Sequence, residues 1–201
     1  MTYPKFHELI TLSLHPVVLL EGTRKLPVGR KYNDVVRFAQ WLADRYRLAV
    51  FRTGNAKGSD DAFAKGVKKV DTSRLQYVLP YAGHRRNEID SASYQMSIDD
   101  LDCSMTELVD RYTVAASPER SSMFRRTDAE LPPKVRAQAQ YLLRDTLKVI
   151  GNKAMGPATA GLFYVNEDDP MKGGTGHTIR VCRARAVPVA FQDEWLTWGE
   201  L

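Results

Sequence analysis

Short apolar runs alternate along this chain with segments in which apolar residues return every three or four positions. Pro16-Val17-Val18-Leu19-Leu20 is a run of strand formers closed by Glu21-Gly22-Thr23. Unbroken apolar character of this kind is what a strand covered on both faces needs. From Tyr32 to Tyr46 the pattern changes. Val35, Val36, Phe38, Ala39, Leu42 and Tyr46 recur at helical spacing, with Asp34, Arg37, Asp44 and Arg45 between them. Leu48 to Phe51 is a second strand, ended by Arg52-Thr53-Gly54-Asn55-Ala56-Lys57-Gly58, and Ser59 or Asp60 then caps a helix to about Val70. That helix carries acids in its first turn and lysines in its last, the arrangement that the helix dipole favours. Leu75 to Pro80 is a third strand, leading into Tyr81-Ala82-Gly83-His84-Arg85-Arg86-Asn87.

The rhythm breaks over residues 84–132, a polar and poorly periodic stretch expected to be a helical insertion or lid. Within it, Ser104-Met105-Thr106-Glu107 has the form of a capping box opening a helix to about Ala116. Pro132-Pro133 starts a clearer helix from Lys134 to Ile150, stopped by Gly151. Thr159 to Val165 is a fourth strand. After it come Asn166-Glu167-Asp168-Asp169-Pro170-Met171-Lys172 and Gly173-Gly174-Thr175-Gly176-His177-Thr178, a helix to about Ala186, and a last strand at Val187–Phe191. Strands alternating with helices imply βαβ units. The expectation is one α/β domain over 1–201, Rossmann-like, with an open, mainly parallel sheet and helices on both faces.

Right-handed crossovers put every strand-to-helix loop at the carboxyl edge of the sheet, where open α/β sheets bind ligands. The first strand is expected at the centre, with the second and fourth beside it. The glycine-bearing loops at 22–24, 54–59 and 173–178 then converge. Glycine lets backbone N–H groups turn toward an anion, and a helix starting just afterwards adds its partial positive charge. Gly22, Thr23, Arg24, Gly54, Asn55, Ala56, Lys57, Gly58, Ser59, Asp60, Gly173, Gly174, Thr175, Gly176, His177 and Thr178 are therefore candidate ligand-binding residues. Arg85 joins them as a candidate phosphate clamp above the third strand, with Arg86 beside it. None of these loops is a Walker A sequence or a GxGxxG fingerprint, which argues against a P-loop NTPase and a nicotinamide dehydrogenase.

Composition narrows the class without naming the ligand. Of 201 residues, 43% are hydrophobic and 26% charged, as in a globular domain, and no apolar run reaches the ~20 residues that span a bilayer. Lys5, His7 and Glu8 interrupt the opening segment, so no leader is read and a cytoplasmic location is expected. The net charge of +5 permits an anionic partner but is small for a dedicated nucleic-acid binder. Cys103 and Cys182 form no metal pattern and read as free thiols, while His7, His15 and His84 are isolated. Neither a metal nor a cofactor is expected.

Three segments carry a family resemblance: Leu20-Glu21-Gly22-Thr23-Arg24, Thr53 to Ala62, and Gly173 to Thr178. They resemble signatures of the SLOG superfamily, which includes DprA, the LOG phosphoribohydrolases and YpsA-like proteins. The second is similar to the GGAxGxD turn of DprA, with Gly54, Ala56, Gly58 and Asp60 in register. The third resembles the PGGxGTxxE motif of LOG enzymes. There the chain departs: Lys172 replaces proline, His177 threonine and Arg180 the glutamate on which LOG hydrolysis relies. The resemblance covers about 16–83 and 134–192 and implies a homodimer. It does not carry LOG activity over.

Three functions follow as expectations. The first is a binding or sensing module for a nucleotide or nucleotide-derived phosphorylated ligand. The second is a nucleotide N-glycosidic hydrolase, with Glu167, Asp168 or Asp60 as the carboxylate and His177 as a further catalytic candidate. The third is a DprA-like binder of single-stranded nucleic acid. Asp145 lies on an apolar helical stretch, where it either reaches the pocket or pairs with Arg144 or a neighbouring helix. Trp195 and Trp198 read as a packed tail, or as a dimer contact.

Overall fold

The computed structural model describes residues 1–124 and 131–199. Six strands form one parallel sheet: β1 (Val17–Gly22), β2 (Val50–Thr53), β3 (Leu75–Leu79), β4 (Tyr94–Ser97), β5 (Ala160–Tyr164) and β6 (Val189–Phe191). Their spatial order is β4-β3-β2-β1-β5-β6, so β1 is central between β2 and β5 as expected. The helices are α1 (Tyr3–Leu12), α2 (Arg30–Arg45), α3 (Ser59–Lys68), α4 (Cys103–Ala116), α5 (Pro133–Ile150), α6 (Gly173–Ala184) and α7 (Gln192–Trp195). Together they make an open, Rossmann-like α/β fold.

The two sheet faces have different characters, set by the alternation of side chains along β1. Val18 and Leu20 point into a dry layer with Val35, Phe38 and Leu42 of α2, Phe63 and Val67 of α3, Phe6 of α1 and Trp195 of α7. Trp195 is fully buried, 4.5 Å from the Phe38 ring, and donates its indole N–H to the Phe163 carbonyl (3.1 Å). The C-terminal tryptophans are thus a packed tail, with Trp198 5.0 Å from Phe6. Leu19 faces the other way, onto Val149 of α5 and Ile179 and Val181 of α6. Glu21 follows Leu19 by two residues on that same face, so its carboxylate is buried under α5 and α6.

Several local expectations need correction. An N-terminal helix, α1, forms where no element was expected. Its signal is only Phe6 and Ile10, four residues apart, behind Pro4 in the first turn. The second strand begins two residues later than its apolar run, because Leu48 is 82% exposed in the turn before it. Residues 84–132 are more than an insertion or lid. Tyr94–Ser97 pairs with β3 as a sheet edge, and α4 packs on α5 and α6 through Val109, Thr113 and Ala116. A four-residue edge strand with two exposed positions leaves little periodicity to read. Residues 125–130 of that stretch lie outside the described residues. Helix α4 is capped by Asp102, which accepts the Met105 N–H (2.8 Å), rather than by Ser104. No helix among the described residues is long and apolar enough to cross a membrane.

Helices α2 and α3 cross closely at Gly66. A methyl group there would lie 2.3 Å from the Val36 carbonyl oxygen and 2.6 Å from Ala39 Cβ. Alanine normally gains about 1 kcal/mol over glycine inside a helix. Here overpacking against a backbone oxygen costs roughly 1–3 kcal/mol and the loss wins. Gly66→Ala is expected to lower the urea midpoint. A raised midpoint would show that the two helices can separate freely.

Candidate functional site

The strand order reverses between β1 and β5, because β1 to β4 run outward in one direction and β5 resumes on the opposite side of β1. A crevice opens at the carboxyl ends of strands at such a switch point. It is present as a cleft of about 960 Å³. Its walls come from the end of β1 and the residues after it (Glu21 to Lys25), the turn after β2 with the start of α3 (Ala56, Lys57 and Asp60), and His84 and Arg85 after β3. Asn166, Asp169, Pro170 and Lys172 after β5, the first turn of α6 (Gly173, Gly174 and Thr175), Arg120 and one face of α5 complete it among the described residues.

The loops are tied to one another by their own side chains. The Asp60 carboxylate is buried and accepts N–H groups from Gly22 (3.3 Å), Gly54 (3.1 Å) and Ala56 (3.2 Å). Ser59 donates its hydroxyl to the Thr23 carbonyl (2.9 Å), and Thr175 donates to the Gly22 carbonyl (3.1 Å). Arg85 is held by Asp61 through two N–H groups (2.9 and 3.2 Å) and donates to the Asn55 carbonyl (3.0 Å). The 54–59 turn therefore closes around an internal anion. Three of the N–H groups expected to face a ligand, those of Gly22, Gly54 and Ala56, are already spent on Asp60.

Beneath this layer lies a buried charge cluster. Lys148 contacts Glu21 (2.5 Å) and Asp145 (2.8 Å), and Arg144 contacts Asp145 (2.9 Å) and donates to the Gly54 carbonyl (2.6 Å). Thr178 donates its hydroxyl to Glu21 (2.9 Å). Burial pushes the Glu21 carboxyl up to about 7, opposed by Lys148 and reinforced by Asp145 and Asp60. Burial also acts upward on Asp145, but Arg144 and Lys148 outweigh it and hold that carboxyl below its usual range. Asp60 is raised by burial despite Lys148 and Arg144.

The sequence candidates divide by position. Gly22, Thr23, Arg24, Ala56, Lys57, Asp60, Arg85, Gly173, Gly174 and Thr175 line the cleft. Gly54, Asn55, Gly58, Ser59, Gly176, His177 and Thr178 lie behind that lining. A β-carbon at Gly22, Gly54 or Gly176 would strike Tyr164, Arg144 or Met171, at 2.1, 1.6 and 1.8 Å. Those glycines answer the protein's own packing. Gly173, with φ +65° and open space around it, starts α6 instead of preceding it, so the expected third loop is the helix's first turn.

His177 is fully buried between the hydroxyls of Ser117 (2.8 Å) and Thr146 (2.9 Å). Burial lowers it to about 4, so it is neutral at pH 7 and away from the cleft. Glu167 and Asp168 are exposed and line a separate recess of about 250 Å³ beside Thr23 and Lys25. Arg180 turns from the cleft and donates to the Ala116 and Met171 carbonyls (2.8 and 3.2 Å) and to Ser117 (3.1 Å). Its charge therefore braces α4 against α6 and does not enter the pocket. From the sequence, Arg144 is read only as a partner for Asp145, which it is, and Glu21 and Lys148 are given no role. The available signal was an acid ending an apolar strand and two cations on a buried helical face. Among the described residues no group of His, Cys, Asp and Glu is arranged to hold a metal ion.

The chain matches no protein-family model, no curated protein and no solved structure. The resemblance to the SLOG superfamily rests on the three glycine segments alone.

The raised Glu21 carboxyl makes stability depend on pH in a defined sense. Between about 4.5 and about 7 the folded protein keeps a proton on Glu21 that the unfolded chain has lost. Stability falls with rising pH wherever the folded state holds more protons, so this contribution declines across that window and levels off above it. Urea melts of the wild type and Glu21→Gln, run side by side through the window, should show the wild type losing ground steadily. A difference that stays flat or grows would mean that Glu21 is ionised throughout.

Proposed function

We propose that the protein binds a nucleotide or a nucleotide-derived phosphorylated ligand in the switch-point cleft, as a binding or sensing module. The observation that carries this reading is the convergence of the segments after β1, β2 and β5 on one cleft where, among the described residues, cations outnumber carboxylates eight to four. Arg144 and three of those carboxylates, Glu21, Asp60 and Asp145, are buried in the floor. The exposed Arg24, Lys25, Lys57 and Lys172 are left around the mouth. Gly173, Gly174 and Thr175 supply the first turn of α6, whose N–H groups have no partner within the helix. An anion at that end gains from the helix dipole as well as from the nearby cations. Phosphate is thus expected at the α6 terminus, with Lys57 and Arg24 closing over it, and not within the Asp60-filled turn at 54–59.

A hydrolytic reading has one observation in its favour, the Glu21 carboxyl held near neutrality at the floor of the cleft. Both its oxygens are engaged, one by Thr178 and the other by Lys148. Asp60 is engaged by three backbone groups, and Glu167 and Asp168 lie outside the cleft. Little or no free base is expected when nucleoside monophosphates are incubated with the protein and separated by chromatography. Steady release that disappears in Glu21→Gln would make the hydrolase reading the correct one.

Charge reversal at the mouth tests the binding reading without disturbing the packed glycines. Arg24→Glu and Lys57→Glu should each weaken binding of a nucleoside monophosphate by about tenfold or more, the scale of one partly screened charge contact. Melting temperatures should stay unchanged, since both side chains are exposed. Calorimetry that finds wild-type affinity in both variants would remove this anion site.

A further inference from the structure

The phosphate half of the cleft accounts for only part of its wall. The opposite side is one stripe of α5: Lys134, then Ala137 and Gln138, then Tyr141 and Leu142, then Arg144 and Asp145. The spacing of three and four residues puts them on a single helical face, about 16 Å from rim to floor at 1.5 Å per residue. Charge is confined to its two ends. The middle offers a methyl group, an isobutyl group, a phenol ring and one amide.

The ring is held in place before any ligand arrives. His84 packs edge-on to Tyr141, with centroids 5.8 Å apart and planes at 84°. His84 is itself buried, with Nδ1 3.1 Å from the Tyr81 hydroxyl. The Arg144 guanidinium lies 5.5 Å from the Tyr141 centroid and is fixed by Asp145 and the Gly54 carbonyl. Tyr141 nevertheless stays half-buried, and Gln138 one turn before it is exposed. A phosphate group gains nothing from a fixed aromatic and aliphatic wall, and a single ribose covers only part of one. A flat heteroaromatic ring gains both the stacking area and one amide that can donate and accept at its edge.

Building on the anion site proposed above, we propose that the α5 wall is a nucleobase subsite, with a purine or pyrimidine ring packed on Tyr141 and its edge hydrogen-bonded to Gln138. Stacking on an aromatic side chain is worth about 1–3 kcal/mol per base, which corresponds to roughly five- to 150-fold in affinity. The subsite makes the ligand a nucleotide, since ribose phosphate alone leaves the wall uncovered.

Calorimetry with the four nucleoside 5′-monophosphates and with ribose 5-phosphate tests this on the full chain. At least one monophosphate should bind about tenfold or more tightly than ribose 5-phosphate. Tyr141→Ala should reduce it to the ribose 5-phosphate level while leaving ribose 5-phosphate itself unchanged, and Tyr141→Phe should restore the difference. Gln138→Ala should narrow the spread among the four bases. Circular dichroism melts of each variant show whether it is folded, and Tyr141→Phe reports on the ring even if Tyr141→Ala is unstable. Ribose 5-phosphate binding as tightly as every monophosphate, or Tyr141→Ala weakening both ligand types equally, overturns the base subsite and leaves the anion site standing. Failure of all five compounds to bind overturns both.

Discussion

The carboxyl edge of this sheet depends on a buried ionic cluster in which Lys148 bridges Glu21 and Asp145 while Arg144 bridges Asp145 and the Gly54 carbonyl. Charges taken out of water cost several kcal/mol each unless partners replace the lost hydration. The partners here come from β1, the turn after β2, and α5. Thr178 of α6 adds the hydroxyl on Glu21. Removing Glu21 would leave two buried cations facing one carboxylate, and removing the Gly54 or Thr178 contact would leave a buried charge short of a hydrogen bond, so the cluster ties together the placement of four elements. It also sits directly under the cleft, which makes the floor a rigid and charged platform.

The same logic explains why the 54–59 turn differs from a phosphate loop while sharing its glycine pattern. Backbone N–H groups that converge on a point attract an anion. In this protein the anion is the chain's own Asp60, which gathers Gly22, Gly54 and Ala56 and so joins the first two strand-end loops. A built-in carboxylate rigidifies the rim but takes those donors away from a ligand. What remains for an external anion is the start of α6, where Gly173 opens the helix toward the cleft, and the exposed cations around it.

The two sides of the sheet divide the work. The face under α2 and α3 is apolar and aromatic, closed by α1 and by Trp195 and Trp198. The face under α4, α5 and α6 carries the polar contents: Arg52, the ion cluster and the Ser117–His177–Thr146 chain. Arg52 is fully buried and lowered to about 10 by burial. It donates to the carbonyls of Lys148 and Gly156 (both 2.8 Å) and to Gln76 (2.9 Å). Lys148 lies in the last turn of α5, where carbonyl groups lack helical partners, so a buried guanidinium there satisfies the helix end and adds favourable charge. Stability is concentrated on one face and the cleft chemistry on the other.

Periodicity alone determined the alternation of apolar strands and amphipathic helices. It placed β1, β3 and β5 to within two residues, together with the parallel sheet and the edge at which the glycine segments gather. These follow because burial on both faces and the handedness of crossovers act on local pattern. Tertiary structure decided what pattern cannot encode. Four-residue β4 gains its strand identity only from pairing with β3, and α1 only from Phe6 meeting Tyr46 and Trp198. His177 and Thr178 are consecutive, yet one turns to Ser117 and Thr146 and the other to Glu21, through contacts 31 to 157 residues apart in the chain. Glu21 and Asp145 read as ordinary acids until burial beside Lys148 shifts them in opposite directions, because a carboxyl group responds to the charges packed around it and not to its neighbours in sequence.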